Sequence, residues 1–85
     1  SKVQDISREV DLRGLTVAEA EEILDKYLDD AVLAGLAEAR IIHGKGTGAL
    51  RKGIKSYLAA HPNITGQRLG DMAEGGDGVT VVKLK

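Results

Sequence analysis

Cysteine, tryptophan and phenylalanine are absent from this 85-residue chain, and proline and methionine occur once each. Each absence excludes something. Without cysteine the chain can form neither a disulfide framework nor a thiolate metal site, which suits a reducing compartment. No segment nears the roughly 20 apolar residues that span a bilayer, and the N-terminus lacks the apolar core of a signal peptide. The expected location is therefore cytoplasmic, with no membrane partner. The two aromatic residues, Tyr27 and Tyr57, fall on apolar helix stripes, so base stacking cannot supply affinity for a single strand. A chain this short buries roughly two-thirds of its unfolded surface and has room for one core. A single domain over residues 9–85 after a short tail, residues 1–8, is expected, and the start at Ser1 points to a piece of a longer chain.

An excess of either charge is lacking too: 12 basic and 13 acidic residues leave a net charge of −1. Their distribution is uneven. Residues 14–39 hold seven carboxylates and one base, Lys26, whereas residues 40–70 hold six bases (Arg40, Lys45, Arg51, Lys52, Lys55, Arg68) and no carboxylate. Taken singly, either block reads as a solvated face. Beside a glycine-rich loop, the basic block reads as the electrostatic footprint of phosphate binding.

Periodicity supplies the scaffold. Glu9 to Arg13 alternates charged and apolar residues, as a half-buried strand does. Thr16-Val17-Ala18-Glu19 is a capping-box pattern that opens a helix. Its apolar stripe is Ala20, Ile23, Leu24, Tyr27, Leu28 and Ala31, and Gly35 supplies a left-handed cap at the end. Arg40 to His43 forms a second strand. Thr47 or Gly48 then opens a second helix, with Leu50, Ile54, Tyr57 and Leu58 inward and Pro62 as its stop. Ile64–Leu69 and Val79–Leu84 are two further strands. The order β-α-β-α-β-β, with right-handed crossovers, predicts an α/β two-layer sandwich. Its four-stranded mixed sheet carries both helices on one face, strands one to three parallel and the last antiparallel. The other face is left for solvent or for another part of a longer protein.

Gly44-Lys45-Gly46-Thr47-Gly48 leaves a strand and enters a helix, where backbone amides and the helix dipole favour an anion. Two standard motifs fail there. Gly48 to Gly53 has the Walker A glycine spacing, but Ile54 stands where the phosphate-binding lysine belongs. Gly44-x-Gly46-x-x-Ala49 loosely fits a dinucleotide fingerprint, but no acidic residue follows at the distance that would hold a ribose.

Three blocks in order, Val10 to Gly14, His43 to Arg51 and Gly75 to Leu84, resemble the signature blocks of the Smr (small MutS-related) domain family. The resemblance runs from Glu9 to Leu84, with Val10 where the family usually has leucine. It implies a sandwich akin to the C-terminal domain of bacterial translation initiation factor three, and it implies nucleic-acid nicking. It also implies a parent MutS-like ATPase, and DNA, structured RNA or the ribosome as partners. Within the family some members cleave DNA, others cleave RNA and some only bind.

Phosphodiester cleavage needs a more basic nucleophile, a protonated leaving oxygen and donors preorganised around the phosphoryl group. His43 is the candidate acid or base, because an imidazole titrates near neutrality. Asp11 is expected to orient it while Arg13, two residues along the same strand, grips phosphate. Gly44, Lys45, Gly46, Thr47, Gly48, Arg51, Lys52 and Lys55 are the expected nucleic-acid cradle. A histidine at a strand end also serves as an ordinary surface or capping residue, and Asp11 and Arg13 could pair with each other or with Lys83. Asp11, Asp71, Glu74 and Asp77 would furnish a Mg²⁺ or Mn²⁺ site if the last loop folded back over the first, although their spacing is not diagnostic. His61, beside Pro62, reads as a helix-terminus residue.

Overall fold

The computed structural model describes residues 6–85; the first five residues of the expected tail lie outside the described part. Six main elements follow in the expected order: β1 (Glu9–Asp11), α1 (Val17–Leu33), β2 (Glu38–Ile42), α2 (Ala49–Ala59), β3 (Ile64–Leu69) and β4 (Val79–Leu84). Two short 3₁₀ turns, Met72–Glu74 and Gly76–Gly78, lie between β3 and β4.

Helix α1 starts and stops where its side chains dictate. Thr16 Oγ1 accepts from the Glu19 amide at 3.1 Å, and Glu19 Oε1 accepts from the Thr16 amide at 2.9 Å. At the other end Gly35 turns left-handed at φ 77°. Its amide then reaches the Val32 carbonyl at 3.0 Å and the Leu36 amide reaches Ala31 at 3.0 Å, which satisfies two carbonyls the helix leaves open. The inward stripe holds except at one position. Ala20, Leu24, Leu28 and Ala31 are buried, but Ile23 is 43% exposed, at the rim of a groove it shares with Ile6, Val10 and Tyr27.

The sheet order is β1-β2-β4-β3. β2 runs parallel to β1, and β4 runs antiparallel to both β2 and β3. The first three strands thus share a direction and β4 opposes them, inserted between β2 and β3. This central place explains its composition: five of its six residues are buried, and branched side chains suit a strand flanked on both edges. One core joins Leu12, Ile41, Val82 and Leu84 of the sheet side to Leu24, Leu28, Ile54 and Leu58 of the helices, so both helices cover one face.

The opposite face is not left bare. Val79 and Val81 alternate with Val82 and Leu84 and are still 6% and 3% exposed. The segment between β3 and β4 folds back there, since a Cβ on Gly75 would lie 2.6 Å from Val79 Cγ2. Two boundaries also move. β1 stops at Asp11 because Arg13 is drawn into a turn by its amide bond to Asp11 Oδ1. β2 spans Glu38–Ile42, leaving His43 just past the strand, where its amide bonds the Gly78 carbonyl at 3.1 Å.

Candidate nucleic-acid interface

The carboxyl ends of β1 and β2 lie side by side, because residues 9–11 pair in parallel with residues 40–42. The loops that leave them carry the sequence signals, and such an edge is where open α/β sheets bind ligands. Gly14 and Leu15 from the first loop meet residues 43–48 from the second around a cleft of about 180 Å³ that Leu50 and Arg51 close. The last loop packs against the glycine loop, with Gly78 beside Gly44 and Lys45. The Gly78 carbonyl accepts from the amides of His43 and Gly44, at 3.1 and 2.9 Å.

Gly44 and Gly48 adopt left-handed φ values of 78° and 85°, which a side chain would resist. A Cβ on Gly44 would also lie 3.3 Å from Arg13 Cγ, so the Arg13 stem rests on the glycine loop. A Cβ added at Gly46 would meet no atom within 4 Å. Gly48 is the N-cap of α2 and provides no side-chain bond, while Thr47 Oγ1 accepts from the Ala49 amide at 3.3 Å. The charges of α2 run against its own dipole. Its first turn has no acidic residue and its last no basic one, whereas Arg51 and Lys52 lie near its start and Lys55 just past its middle. Cations stabilise a helix at its C-terminus, so this placement favours an incoming anion at the expense of the helix. A second, open cleft lined by Thr47, Gly48, Arg51, Lys52 and Lys55 follows the same turn.

The expected catalytic residues are placed less simply. His43 is 5% exposed. Its Nδ1 lies 2.9 Å from the Gly44 carbonyl and its Nε2 lies 2.8 Å from Thr80 Oγ1. A carbonyl only accepts, so Nδ1 carries the hydrogen and Nε2 of the neutral ring accepts from the Thr80 hydroxyl. The expectation that Asp11 orients the imidazole is corrected here. Asp11 accepts from Arg13 Nε at 3.0 Å, Nη2 at 2.7 Å and the Arg13 amide at 3.0 Å. The Arg13 guanidinium beside it, and then the Arg13 amide, lower the Asp11 carboxyl from 3.8 to about 2, while Asp11 raises Arg13. Strand alternation is the reason. Asp11 pairs with Ile42 and Val10 with Ile41, so Asp11 projects to the face that His43 does not share.

The four carboxylates considered for a metal are likewise claimed separately. The last loop does fold back, but Asp77 faces Lys45 Nζ at 3.4 Å and Arg51 Nη1 at 3.9 Å. Asp71 caps the first 3₁₀ turn through the Glu74 amide, and Glu74 Oε1 returns the bond to the Asp71 amide. Glu74 also takes both Nη groups of Arg68, at 2.7 and 2.9 Å. Among the described residues no three His, Cys, Asp or Glu side chains gather in a way that could hold a metal ion. The Asp71-x-x-Glu74 capping box was visible in the sequence, whereas Thr80 and its bond to His43 had no local signal.

Comparison with known proteins gives the family. The family model described as "Smr domain" matches residues 10–85. "Endonuclease MutS2" of Symbiobacterium thermophilum is 61% identical over 85 residues, covering 100% of this chain and 11% of that protein. The protein of the same name in Ruminiclostridium cellulolyticum is 54% identical, again over 100% of this chain and 11% of its own length. The chain thus spans about a tenth of these curated relatives. Among solved structures, the Smr domain of Thermus thermophilus MutS2 superposes with a TM-score of 0.89 and 48% identity, over 93% of this chain and 99% of that one. YdaL, a stand-alone small MutS-related protein from Escherichia coli, shares the fold at a TM-score of 0.86 and 23% identity, over 92% and 64%. By the family match and these relatives, the chain belongs to the Smr domain family.

Proposed function

We infer that the chain is the nucleic-acid-cleaving module of a MutS2-type protein and that it nicks DNA or RNA with little sequence preference. The observation that carries this reading is the reversed charge of α2: a first turn with no carboxylate of its own and no side-chain cap from Gly48, beside Lys45, Arg51, Lys52 and Lys55, with Asp77 held only loosely against Lys45 and Arg51. Phosphate is the anion that repeats along a nucleic acid, and contacts of this kind read backbone and not sequence. The name of these relatives, endonuclease, supports cleavage. Within the reading, Lys45, Arg51 and the amides of Gly46 and Thr47 hold the phosphoryl oxygens. Arg13, leaning on Gly44, supplies a further charge, with Asp11 fixing its guanidinium. His43 exchanges the proton. Lys52 and Lys55 hold flanking phosphates.

A second reading, a docking module that binds nucleic acid or a ribosome without cutting, is favoured by the imidazole itself. It is buried, and both of its nitrogens already have partners. The two readings separate in one experiment. The 85-residue chain is incubated with supercoiled plasmid and with structured RNA, with Mg²⁺, with Mn²⁺ and with chelator, and binding is measured alongside. Cleavage that His43→Ala slows roughly a hundredfold or more, with affinity retained, is the expected result. Binding without cleavage under every condition establishes the docking module instead.

A further inference from the structure

A histidine that moves protons must reach its substrate, and neither nitrogen of His43 is free to do so. The Gly44 carbonyl on Nδ1 can accept a hydrogen bond but cannot pass a proton on. The partner on Nε2 can, because a hydroxyl both gives and takes a hydrogen. Thr80 sits on β4 between Ile41 of β2 and Leu69 of β3, so its position is fixed from both edges. It also lines a second cleft, of about 200 Å³, with Arg51, Lys55, Gln67, Arg68 and Leu69. Arg51 borders both this cleft and the one at the glycine loop.

We propose that Thr80 is a catalytic residue whose hydroxyl carries the proton between a water in the α2–β3 cleft and His43 Nε2. The scissile phosphate then lies in that cleft against Arg51 and Lys55, and the glycine loop holds its neighbour along the strand. Hydroxyl, imidazole and a fixed acceptor in series form the arrangement in which a hydroxyl gains basicity. The step balances as follows. The water gives a proton to Thr80 Oγ1 while Thr80 gives its own to Nε2, and the water oxygen bonds to phosphorus. The bond from phosphorus to the departing oxygen breaks, and that oxygen takes a proton from solvent. The imidazolium returns its proton to solvent through Thr80, and the chain is as it began. The proposal rests on the nuclease reading and adds the path and the place of the reaction.

The test uses Thr80→Val, which keeps the shape of the side chain, Thr80→Ala as a second variant should valine prevent folding, and Thr80→Ser as the rescue. Nicking, nucleic-acid binding and melting are measured on each. Loss of the relay should slow nicking roughly a hundredfold in the valine variant with affinity unchanged, and serine should restore it. The limb of the pH–rate curve that His43→Ala removes should vanish in Thr80→Val as well. The double variant should be no slower than His43→Ala alone, since residues acting as a unit are not additive. Folded Thr80→Val or Thr80→Ala nicking at the wild-type rate, while His43→Ala does not, overturns the relay and leaves the nuclease reading standing. A wild-type chain that cleaves neither polymer overturns both.

Discussion

Asp77 holds its carboxylate 3.4 Å from Lys45 Nζ and 3.9 Å from Arg51 Nη1, so a phosphate approaching these cations meets an anion already there. Neither distance is that of a tight hydrogen bond, and all three side chains are substantially exposed, so each pair is weak. Asp77→Asn should free both cations and tighten binding of an arbitrary duplex a few-fold to about tenfold, as two exposed pairs of about 0.2–1 kcal/mol each allow. Equilibrium binding at low salt checks it, and weaker binding would mean that Asp77 instead positions the two cations. At this scale the sequence was partly legible. Lys45 and Arg51 could be read as anion ligands because the glycines around them declare a loop. The partner of His43 could not, since strand register decides which side chains share a face and one residue of slip exchanges them. Asp11 was the nearest carboxylate in motif terms, but it lies one position away from the face of His43. Thr80, 37 residues distant in the chain, lies on that face.

Elements whose ends are written in side chains were read correctly. The Thr16–Glu19 box and Gly35 bound α1 at both ends, as local chemistry alone requires. The Asp71–Glu74 box uses the same grammar, but on sequence alone three carboxylates in one loop, Asp71, Glu74 and Asp77, fit a metal site as well as a cap. Its Glu74 carboxyl is held down, from 4.5 to about 2, first by the Arg68 guanidinium and then by the Asp71 amide. With the folded value lowered, this contribution to stability is present above pH 4.5 and is lost as the pH falls through about 2. Arg68→Gln should move the Glu74 titration upward toward 4.5, as read by NMR, and should loosen the 71–78 turn in amide exchange at correspondingly higher pH. A second element-scale feature is Gly53, a helix-interior glycine with no evident purpose in the sequence. A Cβ there would lie 2.7 Å from Val17 Cγ2, so the glycine lets α2 approach the start of α1. Gly53→Ala gains about 1 kcal/mol of helix propensity but must displace a branched side chain at a cost of roughly 1–3 kcal/mol. Net destabilisation in a denaturant melt is expected, and Val17→Ala in the same chain should relieve it.

Across the whole molecule, charge segregation places the carboxylate-rich α1 and the basic start of α2 in one helical layer while the net charge remains −1. A polyanion would be repelled by the first and drawn to the second, so the field would orient the chain on such a partner without attracting it from every side. The fold class was legible because the element order and short loops leave few topologies, but the insertion of β4 between β2 and β3 was not, since no local pattern names a strand's neighbours. That insertion is what brings residues 77–80 against residues 43–51 and so completes the site. If phosphate neutralisation at this junction supplies the affinity, binding should weaken steeply as salt rises, because each neutralised phosphate releases counterions. Lys45→Ala with Arg51→Ala should lower the slope of log affinity against log salt by about 2 and weaken unrelated sequences alike. Lys26→Ala, on the acidic helix and paired with Asp30 at 2.8 Å, should leave the slope unchanged. An undiminished slope in the double variant would move the nucleic-acid interface away from the glycine loop, and equal losses in the Lys26 variant would show that net charge, not placement, governs binding.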